Sequence, residues 1–127
     1  MAEALGKVLA DGGGVELALL FGSFARGRAR EDSDVDVAVG GRDIDLPGLA
    51  ADLSAAVGRE VDVVDLRDAG FPLTQALLRD AVVLYEARPG ASASWRTRAI
   101  LEVETDRPWY ERMRDAYLAR LAAGRHG

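Results

Sequence analysis

Two short stretches of this sequence carry residue types that could do chemistry together: Gly22-Ser23 and, after ten intervening residues, Asp34-x-Asp36. Residues two apart on an extended backbone share a face, so the two carboxylates would stand about 6–7 Å apart. Carboxylates that close repel one another, and a divalent cation between them removes the conflict. Ligands that are all oxygen favour Mg²⁺ or Mn²⁺ over zinc. Taken alone, Asp-x-Asp reads equally as the solvated face of an amphipathic strand. Gly-Ser at a strand end offers backbone N–H groups, a hydroxyl and the positive end of a helix to a phosphate. Alone it is an ordinary turn with an N-cap. Side by side, the two motifs put a phosphate grip next to a metal grip, the combination a metal-bound nucleotide requires.

A third carboxylate is expected from the following strand, Val61 to Leu66 (VDVVDL), where Asp62 and Asp65 point to opposite faces because their spacing is odd. Asp62 is the preferred partner of Asp34 and Asp36. That choice leaves Val61, Val63 and Asp65 on the other face, with Asp65 at the strand end as a cap or surface charge. Three such carboxylates suit a two-metal displacement, in which one Mg²⁺ holds a triphosphate, the other lowers the pKa of an attacking hydroxyl, and pyrophosphate leaves. Asp62 would bridge the metals or act as general base. Arg26, Arg28 and Arg30 form a local basic cluster that can neutralise phosphate charge, with Arg26 nearest the phosphate grip.

Other chemistries fail on detail. Asp32, Asp34 and Asp36 imitate the start of an EF-hand loop, but Val37 stands where the sharp turn needs Gly and Asp43 where the bidentate Glu belongs. No P-loop or dinucleotide glycine pattern occurs. Ser23 as a nucleophile would need a histidine base, and the only histidine, His126, sits at the fraying C-terminal end.

Elements must hold these residues in place. Residues 2–10 carry Ala4, Leu5, Val8 and Leu9 at helical spacing, and Gly12-Gly13-Gly14 ends that helix. Val15–Phe21 is an apolar run of strand length that suits burial on both faces. Ser23 to about Arg28 is expected as a short helix, and residues 29–33 as a polar loop. Asp34–Val39 alternates strictly, which predicts a strand with one buried face. Leu46–Val57 reads as an amphipathic helix with Pro47 in its first turn and Gly58 past its end. Pro72–Asp80 predicts a short helix and Val82–Glu86 a fourth strand. A helical tail follows as two pieces, roughly Ser92–Glu104 and Pro108–Ala123, with Trp95, Ile100, Leu101, Trp109, Met113, Tyr117, Leu118 and Leu121 as its apolar positions. Strands separated by helices predict an α/β (α+β) fold with a mixed sheet of about four strands. One domain over residues 1–127 is expected, with a core of about 1–88 and a tail of about 91–123.

Bulk properties narrow the partners. A formal charge of -5 argues against broad binding to nucleic acid, which depends on many Lys and Arg contacts to phosphate. The absence of cysteine excludes disulfides and cysteine metal sites, and fits a cytoplasmic location. No apolar run approaches the roughly 18 residues needed to cross a bilayer, and the start of the chain lacks a leader pattern, so no membrane association is expected.

The stretch GSFARGRAREDSDVDVAV resembles the signature of DNA polymerase β-type nucleotidyltransferases. Over nearly the whole chain, the short length, the VDVVDL strand and the tail RAILEVETDRPWYERMRDAYLARL are similar to minimal nucleotidyltransferase (MNT) antitoxins, which pair with HEPN-domain ribonuclease toxins. That resemblance implies a polymerase β-like fold, two Mg²⁺ ions, ATP as substrate, and transfer of AMP to a toxin tyrosine. Gly22, Ser23 and Arg26 would bind the nucleotide phosphates; Asp34, Asp36 and Asp62 would bind metal. Two other functions fit the same motifs. One is an antibiotic nucleotidyltransferase, which normally needs acceptor-binding helices that 127 residues scarcely accommodate. The other is an antitoxin acting by binding alone, with Trp95, Trp109, Tyr110 and Tyr117 as interface anchors or as core residues of the tail.

Overall fold

Hydrophobic alternation assigns every strand two faces, and the chain covers each face with a pair of helices. In the computed structural model, which describes residues 1–124, the order is α1 (Ala2–Asp11), β1 (Val15–Phe21), β2 (Val35–Gly41), α2 (Leu46–Val57), β3 (Val61–Asp65), a single 3-10 turn (Leu66–Asp68), α3 (Phe71–Asp80), β4 (Val82–Glu86) and α4 (Ala91–Gly124). The sheet runs β3-β2-β1-β4; β1 is antiparallel to both neighbours, whereas β2 and β3 are parallel. This is the mixed four-stranded sheet expected from the strand and helix pattern.

On one face, Leu5 and Leu9 of α1 and Leu49 and Leu53 of α2 pack on Ala18, Leu20, Val35, Val37, Val39 and Val61. On the other, Leu77 of α3 and Trp95 of α4 cover Leu17, Leu19 and Ala38. Val15 lies on the same side as Ala18 and Leu20 despite its odd spacing, because the register between β1 and β2 shifts between Val15 and Leu17. The expectation of a single buried face for β2 needs correction. Ala38 is fully buried beside Leu77 of α3 and Trp95 of α4, so on this face β2 is open only towards its two ends, at Asp36 and at Gly40–Gly41.

Capping fixes α2 at both ends. Asp45 accepts the Gly48 N–H at 3.1 Å, Pro47 occupies the first turn, and Gly58 closes the helix in a left-handed conformation (φ 67°). At the end of β3, Asp65 turns its carboxylate back onto the Arg67 N–H (2.8 Å) and guanidinium (2.9 Å), which caps the 3-10 turn. Asp65 is therefore the strand-end cap expected for it. The expected helix after Ser23 does not form. Residues 22–27 make consecutive turns instead, in which Arg26 N–H reaches the Gly22 carbonyl and Arg28 N–H the Ser23 carbonyl (3.2 and 2.9 Å).

The tail also departs from expectation. Pro108 was expected to divide it, because proline removes an N–H and its ring presses on the carbonyl four residues back. α4 nonetheless runs unbroken through Pro108. Contacts on either side of the proline hold it together: Tyr110 stacks on Phe71 of α3 with centroids 4.5 Å apart, and Arg107 pairs with Glu104 (3.3 Å) and Glu111 (4.0 Å). Beyond Val103 no residue of α4 is buried.

A proline inside a helix costs on the order of 3 kcal/mol relative to alanine. Pro108→Ala should therefore slow amide exchange across residues 104–112 and strengthen the helical circular dichroism signal. Unchanged exchange there would mean that the helix tolerates the ring without strain. Removing the cap, as in Asp65→Ala, should cost about 1 kcal/mol of stability at neutral pH. The Arg67 bonds hold the Asp65 carboxyl below the usual carboxylate range, so its contribution is present above about pH 4 and fades as the pH falls through the lower folded-state value. Urea titrations of both proteins at pH 7 and pH 3 should show the gap closing in acid.

Candidate active site

β1 ends where β2 begins, and the register decides what meets there. Phe21 pairs with Asp36, and Asp36 pairs in turn with Asp62 on the parallel β3. Neighbouring strands lie about 4.8 Å apart, so Asp36 and Asp62 stand side by side on the same face, next to the turn that starts at Gly22. Asp65 falls on the opposite face, three residues along. Asp34 lies just before β2, not within it, exposed at the edge of the same end.

Gly22 adopts a left-handed conformation (φ 75°), and a Cβ there would collide with Asp36 Oδ2. Glycine is thus required twice, once for the turn and once so that the Asp36 carboxylate can lie against the backbone. Asp36 is half-buried, and that burial pushes its pKa up. Asp62, and less strongly Asp34, push it further, while Arg26 pulls it down. Asp34, Asp62 and Arg26, all singled out from the sequence, therefore bear on this single carboxylate. Among the described residues no three Asp, Glu, His or Cys side chains converge closely enough to hold an ion. Asp34, Asp36 and Asp62 form an acidic face, not a closed cage, because the outer two are exposed side chains without fixed partners. Their donor set is all carboxylate oxygen, gathered around a group whose ionisation is penalised; that suits Mg²⁺ and no softer metal.

Arg26 and Arg28 open onto a shallow concavity shared with Arg79 and Asp80 at the end of α3, the last two bridged at 3.0 Å. Arg79 was not singled out from the sequence, since nothing in its spacing ties α3 to the loop after β1. A second residue missed was Arg59. From the turn after α2 it donates to the carbonyls of Arg30, Glu31 and Ser33 (3.3, 2.6 and 3.4 Å) and lies over the Phe24 ring at 5.2 Å. Arg30 enters the site through its backbone, its N–H bonding Ser33 Oγ at 2.7 Å. His126 lies outside the described residues. A cavity of about 260 Å³ under α3 and α4, lined by Gly41, Thr74 and Trp95, sits at the opposite end of the sheet from the carboxylates and takes no part in this site.

A mixed sheet with a glycine-serine turn leading out of one strand and an Asp-x-Asp entering its neighbour is the frame of a nucleotidyltransferase. Residues 3–89 match the polymerase β nucleotidyltransferase family, and the chain belongs to it. Within that family it is similar to the protein adenylyltransferase MntA of Shewanella oneidensis, 36% identical over 75 residues that span 56% of this chain and 54% of that one. A protein adenylyltransferase homologue of Methanocaldococcus jannaschii is 37% identical over 73 residues, 54% of this chain and 78% of that one. A crystal structure of a toxin–antitoxin with AMP-PNP superposes with a TM-score of 0.77 at 25% identity, covering 95% of this chain and 98% of that one, so the likeness includes the α4 tail. No helix among the described residues is long and apolar enough to cross a membrane.

A carboxyl whose pKa is raised on folding destabilises the folded state wherever it is ionised. Asp36→Asn should therefore raise the melting temperature of the free protein at pH 7. The gain should disappear below about pH 4, where wild-type Asp36 is protonated in both folded and unfolded chains. A variant no more stable than wild type at pH 7 would show that burial and the neighbouring aspartates do not strain this group.

Proposed function

We propose that this chain transfers AMP from ATP to a tyrosine hydroxyl of a cognate HEPN ribonuclease toxin and so neutralises it. The single observation that carries the reading is the strand register that lines up Phe21, Asp36 and Asp62, because it brings the glycine-serine turn and the carboxylates to one open end of the sheet. The MntA relative is a protein adenylyltransferase, and the superposed toxin–antitoxin holds an ATP analogue. Both support the acceptor class and the nucleotide.

In this reading Gly22 and Ser23 present backbone N–H groups and a hydroxyl to the triphosphate, with Arg26 balancing its charge. Asp34, Asp36 and Asp62 would hold Mg²⁺, which when bound would screen the phosphates and make the acceptor hydroxyl more acidic. The tyrosine oxygen attacks the α-phosphorus, the bond from that phosphorus to the bridging oxygen breaks, and pyrophosphate departs. Asp62, the most exposed of the carboxylates paired across the sheet, takes the phenolic proton.

The acceptor arrives with the partner. Trp109, Met113, Tyr117 and Leu121 recur every fourth residue along α4, and all are exposed (57%, 46%, 56% and 45%). A continuous apolar stripe of this kind marks a protein interface. Of the four aromatics expected as anchors, Trp109 and Tyr117 lie on this exposed face, whereas Trp95 packs on the sheet and Tyr110 on Phe71. The same stripe favours one second reading, neutralisation by binding alone.

Substituting Asp34→Ala and Asp36→Ala together separates the two. Transfer of AMP to the co-purified toxin, read by mass spectrometry with ATP and Mg²⁺, should fall on the order of 10³-fold or more while the complex survives size-exclusion chromatography. Full neutralisation by the double variant would favour binding. Modification of an aminoglycoside or lincosamide by wild type, with the toxin untouched, would move the activity to small acceptors.

A further inference from the structure

The loop that delivers Asp34 has almost no apolar anchorage of its own. Between Arg28 and Val35 lie Ala29, Arg30, Glu31, Asp32, Ser33 and Asp34, all exposed but Ser33, which is partly buried. A polar segment of this length would ordinarily be mobile. Here it is held from outside. One guanidinium nitrogen of Arg59 donates to three carbonyls of the loop, those of Arg30, Glu31 and Ser33, at 3.3, 2.6 and 3.4 Å. The next residue, Glu60, accepts the Val35 N–H at 3.0 Å, so the α2–β3 turn grips the chain on both sides of Asp34. Inside the loop, Ser33 N–H reaches the Arg30 carbonyl (3.1 Å) and Arg30 N–H reaches Ser33 Oγ (2.7 Å). The Arg59 guanidinium also lies 5.2 Å from the ring centroid of Phe24, the residue after Ser23, and Phe24 packs against the α1–α2 core. Arg59 thus touches both arms of the site, the turn carrying Gly22-Ser23 and the loop carrying Asp34, and joins them to the end of α2, whose position the Gly58 cap fixes.

We propose that Arg59 is a positioning residue: by strapping the 30–33 backbone to the Phe24 turn, it sets where the Asp34 carboxylate stands relative to Asp36. This rests on the reading of those carboxylates as metal ligands. Arg59 contacts neither carboxylate, so its effect passes through the backbone it holds. Groups that orient metal ligands in this way typically contribute 10–100-fold to metal affinity. An arginine suits the task because its fixed cationic plane can lie on an aromatic ring and still donate at its edge.

The test uses the full chain and needs no partner. Arg59→Met keeps the apolar stem but removes every donor, Arg59→Gln shortens it, and Arg59→Lys restores several N–H bonds on a single nitrogen. Hydrogen exchange at Arg30, Ser33 and Val35 should quicken in the Met and Gln variants and return toward wild type in the Lys variant, with exchange in the β1 and α2 cores unchanged. Mn²⁺ affinity, read by electron paramagnetic resonance with a saturating non-hydrolysable ATP analogue, should drop on the order of tenfold in Met and Gln and recover in Lys. Unchanged exchange in Arg59→Met, or faster exchange with undiminished Mn²⁺ affinity, would overturn the strap while leaving the metal reading standing. Wild-type protein that binds no Mn²⁺ would instead overturn the metal reading, and the exchange comparison would still decide whether Arg59 restrains the loop.

Discussion

The structure turns on the placing of one carboxylate. Asp36 has Gly22 on one side and Asp62 on the other, half out of water, and its charge is disfavoured by burial and by both neighbouring aspartates. A sequence selected only for stability would put an apolar residue there, as at Ala38 on the same face. Keeping an aspartate at that point dictates much of what surrounds it. The residue lying against its carboxylate, Gly22, must lack a Cβ, the helices must stop short of that end of the sheet, and a cation, whether Arg26 or a bound metal, must come near to offset the charge. Buried Ala38, two residues further along the same face, shows how soon the ordinary core resumes.

Around that point the fold divides its labour. The α1–α2 face is a continuous apolar layer that uses the odd-numbered residues of β2, so it can be optimised for packing without touching the site. The α3–α4 face shares its strand positions with the carboxylates, and its core is smaller. The parallel pairing of β2 with β3 is the costlier topology, since it needs α2 as a crossover. It is also what sets Asp36 beside Asp62 while leaving Asp65 to cap the next turn. A hairpin between β2 and β3 could not bring the starts of two successive strands to one end of the sheet. The site therefore depends on a long connection, and α2, with its side-chain cap at Asp45 and its left-handed glycine at Gly58, makes that connection rigid.

Much of this was legible in the sequence, and the exceptions share a physical origin. Strand periodicity put Asp34 and Asp36 on one face and left Asp62 or Asp65 for the third carboxylate; the parallel register, which no local pattern reveals, is what sets Asp62 beside Asp36. The Pro47 first turn and Gly58 stop of α2 are local chemistry and were equally plain, whereas the Asp45 cap was not singled out. What escaped notice depended on contacts between residues distant in the chain. Ser23 is a competent N-cap, but Gly22 and Gly27 both take left-handed conformations, which favours successive turns over a helix. Pro108 should break a helix, yet Phe71, far back in the chain on α3, supplies the ring that Tyr110 stacks on just past it. Arg59 looks like one more surface charge until the loop 26–29 residues before it arrives beside it. Local rules govern the elements, and long-range contacts govern the loops that carry the site.

The α4 tail extends this reasoning to the acceptor. A helix rises about 1.5 Å per residue, so the stretch past Val103 reaches roughly 30 Å beyond the last buried position, bearing Trp109, Met113, Tyr117, Leu118 and Leu121, all exposed. Leaving so many large apolar groups in water is unfavourable, by about 25 cal/mol for each Å² of apolar surface, and a second surface laid along them would recover that free energy. The Phe71–Tyr110 stack and the Arg107 guanidinium over the Phe71 ring hold the start of this stretch against α3, so a partner docked on the stripe is oriented by the same framework that orients the sheet. Geometry of this kind turns a flexible encounter into a fixed approach. A hydroxyl carried on the partner gains the most from it, because the effective concentration of a correctly oriented group can exceed any concentration reached in free solution. A small site with little acceptor-binding surface of its own can in this way be selective, with the choice of acceptor made along α4 and the chemistry left to the end of the sheet.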